Sequence, residues 1–282
     1  MDDFLQVCEV GPRDGLQSLG LVLSIEERAA FIRELSAAGL KKQEVGSMVN
    51  PRYVPEMQNS GLLYKMLAEN SNPEDELILL VPNERGLEDA LSVGCRSLAF
   101  FSATSESFNQ KNIRMSVQES IEVITEMLKG IDNSIHKRLY ISTVFHCPYD
   151  GIMQEELALE KFSTLFELVD EISLGDTTGK SEPEQVENLA GILAEHAFKD
   201  KIWWHFHDTY QRAKANCRTT IKHGFTKYDS SAGGIGGCPF APGAKGNIST
   251  ESLLLVDEEE GLNHHIDVAR VAKAAEPIKG KL

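Results

Sequence analysis

The chain has 282 residues, of which 25% are charged and 41% hydrophobic, and its 43 acidic against 28 basic side chains give a formal net charge of -15. That acidic excess excludes a general nucleic-acid or anionic-membrane binder, because a surface that tracks phosphates needs a basic excess, although a local Lys or Arg can still receive a small anion. Five cysteines (Cys8, Cys95, Cys147, Cys217 and Cys238) without CxxC spacing argue for reduced thiols rather than a disulfide framework. With no apolar N-terminal run and no segment of bilayer-spanning length, the sequence predicts a cytoplasmic protein without a signal peptide or membrane contact.

Short apolar runs rich in β-branched and aromatic residues alternate with helical patterns along the whole chain. The first predicted strand is Leu5–Val10. A helix follows, opened by a capping box (Ser24 with Glu27), carrying a stripe of Ile25, Phe31, Ile32, Leu35 and Leu40, and stopped near Gly39. Strands are then expected at Gln43–Val49, Leu77–Val81 and Ser97–Phe101, and a helix at Val117–Leu128. From Arg138–Phe145 onward, strands at Glu171–Leu174, Ile202–Phe206 and Tyr228–Ser231 alternate with helices near Glu155–Leu168, Pro183–Ala197 and Gln211–Lys222. Helix Ser249–Glu258, a final helix with Asp267–Ala275 as its core, and a basic end at Lys279–Lys281 complete the chain.

About eight βα units in this length predict one closed (β/α)8 barrel, with a doubly wound open sheet as the alternative. No glycine-rich turn of dinucleotide type follows the first strand, and polar residues collect at many strand ends; both favour the barrel. No linker or repeat divides the sequence. The reading is a single domain over residues 1–282, the barrel at about 4–260 and a C-terminal helix and tail at about 261–282.

His205 and His207 lie two apart at the end of a predicted strand, so both rings face the barrel mouth. They read either as a pair of metal ligands or as polar core residues bonded to backbone. Arg13 and Asp14, after the first strand, offer a cation and a hard oxygen ligand, or simply a turn. A glycine-dense loop after the last strand, residues 232–247, carries Cys238 where a lid could close over substrate and move a proton. Glu44, Arg138, Tyr140, Ser173 and Asp176 add polar groups at other strand ends. These residues support metal-assisted chemistry without naming a substrate.

Seven stretches carry a resemblance. GPRDGLQ, EVGSMVNPRYVPEM, FFSATSESFNQKNI, CPYDG, EISLGDTTG, HFHDTY and GGIGGCPFAPGAKGN, running in order from Val7 to Glu251, resemble the 3-hydroxy-3-methylglutaryl-CoA lyase family of the DRE-TIM metallolyases. The resemblance implies a TIM barrel holding Mg2+ or Mn2+ on Asp14, His205, His207 and Asn247, and retro-Claisen cleavage of an acyl-CoA substrate. It further implies that Arg13 stabilises the thioester oxyanion and Cys238 takes part in proton transfer to the enolate carbon. Glu44, Asp176 and His205 are left unranked for the hydroxyl proton. Gln17, Ser47, Arg138, Tyr140, Ser173 and Thr177, with Arg13, fall at pocket positions, and a homodimer is implied.

Four departures stand out: Pro242 for the usual Arg, Gln211 for Gly, Ser18-Leu19 for Asn-Glu, and Phe206 for Cys between the histidines. They bear on the acyl group and the CoA contacts. Alternatives are a lyase for another 3-hydroxyacyl-CoA such as citramalyl-CoA, a Claisen-type condensing enzyme, and a silent acyl-CoA-binding barrel.

Overall fold

Eight parallel strands close on themselves in the computed structural model, which describes residues 4–238 and 241–281; the side chains of residues 238 and 241–245 lie outside the described residues. The strands are β1 (Gln6–Glu9), β2 (Lys42–Ser47), β3 (Glu76–Leu80), β4 (Ser97–Ala103), β5 (His136–Ser142), β6 (Glu171–Asp176), β7 (Ile202–Phe206) and β8 (Lys227–Ser230). Each pairs with its sequence neighbours, and β1 pairs with β8 from Gln6↔Lys227 to Glu9↔Ser230, which removes both sheet edges. The expected barrel is therefore the fold, and the open sheet is not.

Helices α1 (Ile25–Ala37), α2 (Ser60–Ala68), α3 (Glu84–Ser92), α4 (Glu106–Ile113) and α5 (Val117–Lys129) accompany the first half. Helices α6 (Leu157–Phe166), α7 (Pro183–Ala194), α8 (Ala213–Lys222), α9 (Thr250–Glu260) and α10 (Val268–Lys279) accompany the second. The capping box predicted for α1 is present, Ser24 accepting from the Glu27 amide and Glu27 from the Ser24 amide. Its stripe buries Ala29, Phe31, Ile32 and Leu35, each larger side chain contributing about 1.5–3 kcal/mol. Helix α10 packs on α1, and Phe4 stacks on His265 at 4.9 Å, so the two ends of the chain meet beneath the barrel.

Three helices were not anticipated. α2 follows a left-handed Asn59 that supplies no side-chain cap, α3 is short, and α4 is an extra helix between β4 and α5. The predicted Arg138–Phe145 strand instead ends at Ser142, because Thr143 turns into the left-handed region at φ 58. Strand β6 runs further than expected, carrying Gly175 and Asp176 within it.

Alternation along the strands sorts the chemistry. Outward residues such as Leu79, Phe100, Leu139, Ile172, Trp204 and Phe206 join the main core under the helices. Inside, Cys8, Ile78, Ala99 and Trp203 form a small apolar floor, and polar residues occupy the rest. Cys8, Cys95, Cys147 and Cys217 are all buried free thiols. Among the described residues, no helix is long and apolar enough to cross a membrane.

Candidate active site

The first βα connection does not form a simple turn. Residues Gly11–Gly15 wind into a π-helical turn in which the Val10 carbonyl accepts from the amides of Arg13, Asp14 and Gly15. Such turns are rare and favour functional positions, because the extra residue re-aims side chains. Here the turn aims Arg13 and Asp14 into the mouth. It packs directly on the opposite loop: a Cβ on Gly15 would meet the Ile235 carbonyl at 2.7 Å, and Gly236 approaches Gly15 with φ +120. Ser18 fastens the contact, accepting from the Gly237 amide at 3.0 Å while donating to the Gly15 carbonyl at 3.0 Å.

Beneath this junction lies Glu9, fully buried at the end of β1. Its Oε1 accepts from the amides of Gly11 and Ala232, each at 2.9 Å, and its Oε2 from the Thr250 hydroxyl at 2.7 Å. Burial pushes this carboxyl up to about 7 despite those donors.

At the exit of β7 the chain continues to pair with the segment after the glycine-rich hairpin. Asp208 donates to the Gly246 carbonyl, Ile248 donates to the Phe206 carbonyl, and a bridge joins His207 to Asn247. This brings Asn247 to Asp14, whose Oδ2 accepts from its side-chain amide at 2.8 Å. Asp14, His205 and His207 offer ligand atoms that all lie within 4.8 Å of one another. Of the two readings of the histidine pair, this geometry favours metal ligation.

Two atoms around this cluster test whether a cation fits. His207 Nδ1 and Asn247 Oδ1 are buried and have no hydrogen-bond partner. A buried polar atom left unpaired costs about 1–3 kcal/mol, so two of them facing one carboxylate and a second imidazole mark a place for a ligand. One carboxylate, one amide oxygen and two imidazoles suit a hard or borderline divalent ion better than thiolates would. The residues therefore fit the metal set expected from the sequence.

Arg13 faces the same space. Its Nε and Nη2 both reach Glu44 Oε2, at 2.7 and 2.6 Å, and its Nη1 reaches Asp14 Oδ1 at 2.7 Å. Burial opposes its charge, but Glu44 and Asp14 outweigh that and hold the guanidinium above its ordinary value. For Asp14, burial is likewise outweighed, by Arg13 first and then His205 and the Asn247 amide, giving about 2. Burial, reinforced by His205, pushes His207 down to about 4, leaving a neutral ring.

A cavity of about 390 Å³ opens over these groups. Arg13, Asp14, Gln17, Tyr140, Ser173, Thr177, His205 and His207 line it, joined by Ser18, Asn112 and an apolar wall of Leu80, Phe101 and Phe108. Gln17 Oε1 is buried without a partner.

The remaining expected residues sit behind this surface. Ser47 is buried and holds the Val49 amide. Glu44 and Asp176 are buried and absent from the cavity lining. Asp176 Oδ2 accepts from Ser181, and burial raises its carboxyl to about 6. Arg138, expected at the pocket, is fully buried below it, bonded to Glu171 Oε2 at 2.5 Å and to Asp229 Oδ1. Cys238 begins a hairpin whose backbone pairs it with Ala241, but its side chain lies outside the described residues, as do those of Pro242 and Lys245.

Sequence reasoning missed Glu9, Asp229 and the wall residue Phe108. Asp229 carried one readable signal: an acid inside a predicted strand, next to the strand that bears the histidines.

Known proteins resemble this chain over nearly its whole length. The HMGL-like family model matches residues 4–278. A hydroxymethylglutaryl-CoA lyase of Pseudomonas mevalonii is 39% identical over 280 residues, covering 99% of this chain and 92% of that one. The crystal structure of the Bacillus subtilis HMG-CoA lyase superposes with a TM-score of 0.93 at 36% identity, covering 99% and 94% of the two chains. An Acinetobacter baumannii HMG-CoA lyase in complex with coenzyme A and 3-methylmalate gives 0.91 at 29% identity, covering 99% and 92%.

Proposed function

This chain belongs to the HMGL-like family, and we propose that it is a metal-assisted carbon–carbon lyase that cleaves 3-hydroxy-3-methylglutaryl-CoA to acetoacetate and acetyl-CoA. The observation that carries the reading is the clustering of Asp14, His205, His207 and Asn247 beside Arg13 at one cavity. Asp14, His205, His207 and Asn247 would hold Mg2+ or Mn2+, which supplies Lewis acidity toward the substrate's 3-hydroxyl and carboxylate oxygens. Arg13, its charge fixed by Glu44 and Asp14, stabilises the oxyanion that grows on the thioester oxygen as the C2–C3 bond breaks.

His205 lines the cavity, but its Nδ1 already contacts Asp229, so Nε2 alone remains, and serving as a ligand uses it. The hydroxyl proton then falls to a carboxylate that keeps a free oxygen. Glu44 Oε1 and Asp176 Oδ1 both do, each from behind the cavity lining. Cys238 delivers the proton to the enolate carbon from the hairpin that Ser18 fastens to the first loop. A homodimer in the cytoplasm is part of this reading.

A second reading rests on the apolar wall of Leu80, Phe101 and Phe108. It is the same cleavage on a thioester whose 3-substituent is longer than methyl. The test is acetyl-CoA release from 3-hydroxy-3-methylglutaryl-CoA with Mg2+ or Mn2+ and after chelation. Release that needs the metal and falls at least about 100-fold in Cys238→Ala is expected. Slow release from this thioester but rapid release from a longer analogue selects the second reading, and silence on both refutes the lyase.

A further inference from the structure

Below the cavity, an ion chain threads the inside of the barrel. Lys42 joins Glu76 at 2.6 Å and Glu171 at 2.7 Å near the barrel floor. Glu171 accepts from Arg138, and Arg138 also donates to Asp229 on the far side of the barrel interior. Asp229 does not stop at that pair. Its Oδ2 accepts from the Ser173 hydroxyl at 2.6 Å and faces His205 Nδ1 at 3.2 Å. Strand register sets the two side chains beside each other, because Asp229 and His205 are direct neighbours on β8 and β7.

A buried ion pair that served only the fold would have no need of the imidazole. Arg138 alone satisfies Oδ1, and Ser173 alone satisfies one lone pair of Oδ2. The remaining lone pair is spent on a ring whose other edge belongs to the site. An ionised carboxylate accepts only, so a neutral His205 must present Nδ1–H to it, which leaves Nε2 unprotonated and free to ligate. Arg138, wholly buried beneath the cavity, then acts through that carboxylate and not on substrate, while Ser173, which lines the cavity, also donates to Asp229.

We propose that Asp229 is a positioning residue that selects the ligating tautomer of His205, with Arg138 as the buried cation that fixes Asp229. The proposal rests on the metal reading of the site and goes beyond it in assigning both residues a role. It departs from the pocket role that the sequence suggested for Arg138.

The tautomer can be read without activity. Ring-nitrogen NMR of 15N-histidine-labelled, metal-free protein at mildly alkaline pH, where an ordinary imidazole is neutral, is expected to place the His205 proton on Nδ1. In Asp229→Asn that preference should weaken, and Mn2+ affinity, followed by the EPR signal of the free ion, should fall about 10–100-fold. Arg138→Lys, which keeps the charge but loses the fork, should give a smaller loss of the same kind. Finding the wild-type proton on Nε2 overturns the proposal with no variant needed, as does wild-type Mn2+ affinity in folded Asp229→Asn. If Mn2+ binds and the tautomer is as expected while no acyl-CoA is cleaved, the lyase reading fails and the positioning role stands.

Discussion

The mouth of the barrel and the layer just beneath it are both polar and both largely buried, yet their bonding differs. At the mouth, His207 Nδ1, Asn247 Oδ1 and Gln17 Oε1 have no partner. One layer down, every oxygen of Asp229 is engaged, by Arg138, Ser173 and His205. An unpaired buried polar atom is a standing cost that a ligand can relieve, whereas a carboxylate with both oxygens engaged needs no ligand. The same residue types thus serve binding in one layer and architecture in the next, and partner accounting separates them where residue identity does not.

Paired substitutions break that comparison open. Arg138→Met strips the counter-ion from buried Asp229 and Glu171 and is expected to cost about 3–5 kcal/mol of stability, read by denaturant unfolding. His207→Ala removes a ring whose Nδ1 has no partner in the protein, so its unfolding midpoint should fall far less than that of Arg138→Met. Its metal-dependent turnover should nevertheless fall by at least about 100-fold, since losing a ligand costs no less than losing the group behind one. Were the two profiles exchanged, the division between mouth and network would be wrong.

Glu9 sharpens the contrast by a smaller effect. It resembles the lower layer in being fully satisfied, but its charge has no cationic partner, and burial sets its carboxyl at about 7 against an ordinary 4.5. A carboxyl whose folded value is raised binds its proton more tightly in the folded state. Its contribution is therefore fully present below about 4.5 and is lost as pH rises through about 7. Glu9→Gln can keep acceptance from Gly11 and Ala232 through its amide oxygen and donate to Thr250 instead. It should flatten the fall in melting temperature across that pH window, an effect on the order of 3 kcal/mol at the alkaline end. A variant that melts with the wild-type pH dependence would remove Glu9 as the titrating group.

The parts of this protein that a reader of the sequence can see are those whose signals are local. The barrel was legible because alternating strands and capped helices repeat at short range, as with Ser24 and Glu27 three positions apart. His205 and His207 stood out through their two-residue spacing at a strand end, whereas Asp14 read equally as a turn and Asn247 entered only through the family resemblance. Asp229 was not legible, since its partner Arg138 lies 91 positions away and only barrel closure joins them. Helices α2, α3 and α4 were missed because they have eight or nine residues each, too few for a clear periodic stripe. Arg138 was placed at the pocket by the family resemblance, which matches a motif position but does not fix the depth of a side chain along the barrel axis.

The rim offers the mildest test. Gln211 follows the HDTY motif where the family resemblance leads one to expect glycine, and the backbone retains the glycine conformation, with φ 60. A side chain in the left-handed region costs about 1–2 kcal/mol through the clash of Cβ with the following carbonyl oxygen. Against this, glycine loses more backbone freedom on folding, by about 0.5–1 kcal/mol. The balance predicts that Gln211→Gly stabilises the protein by no more than about 1 kcal/mol, measurable as a shift of a few degrees at most in thermal unfolding. Gln211 is exposed and does not line the cavity, so turnover should not change. A turnover change of several-fold with unaltered stability would mean that the loop after β7 reaches the substrate, extending the binding region beyond the ring of side chains around Asp14, His205, His207 and Asn247.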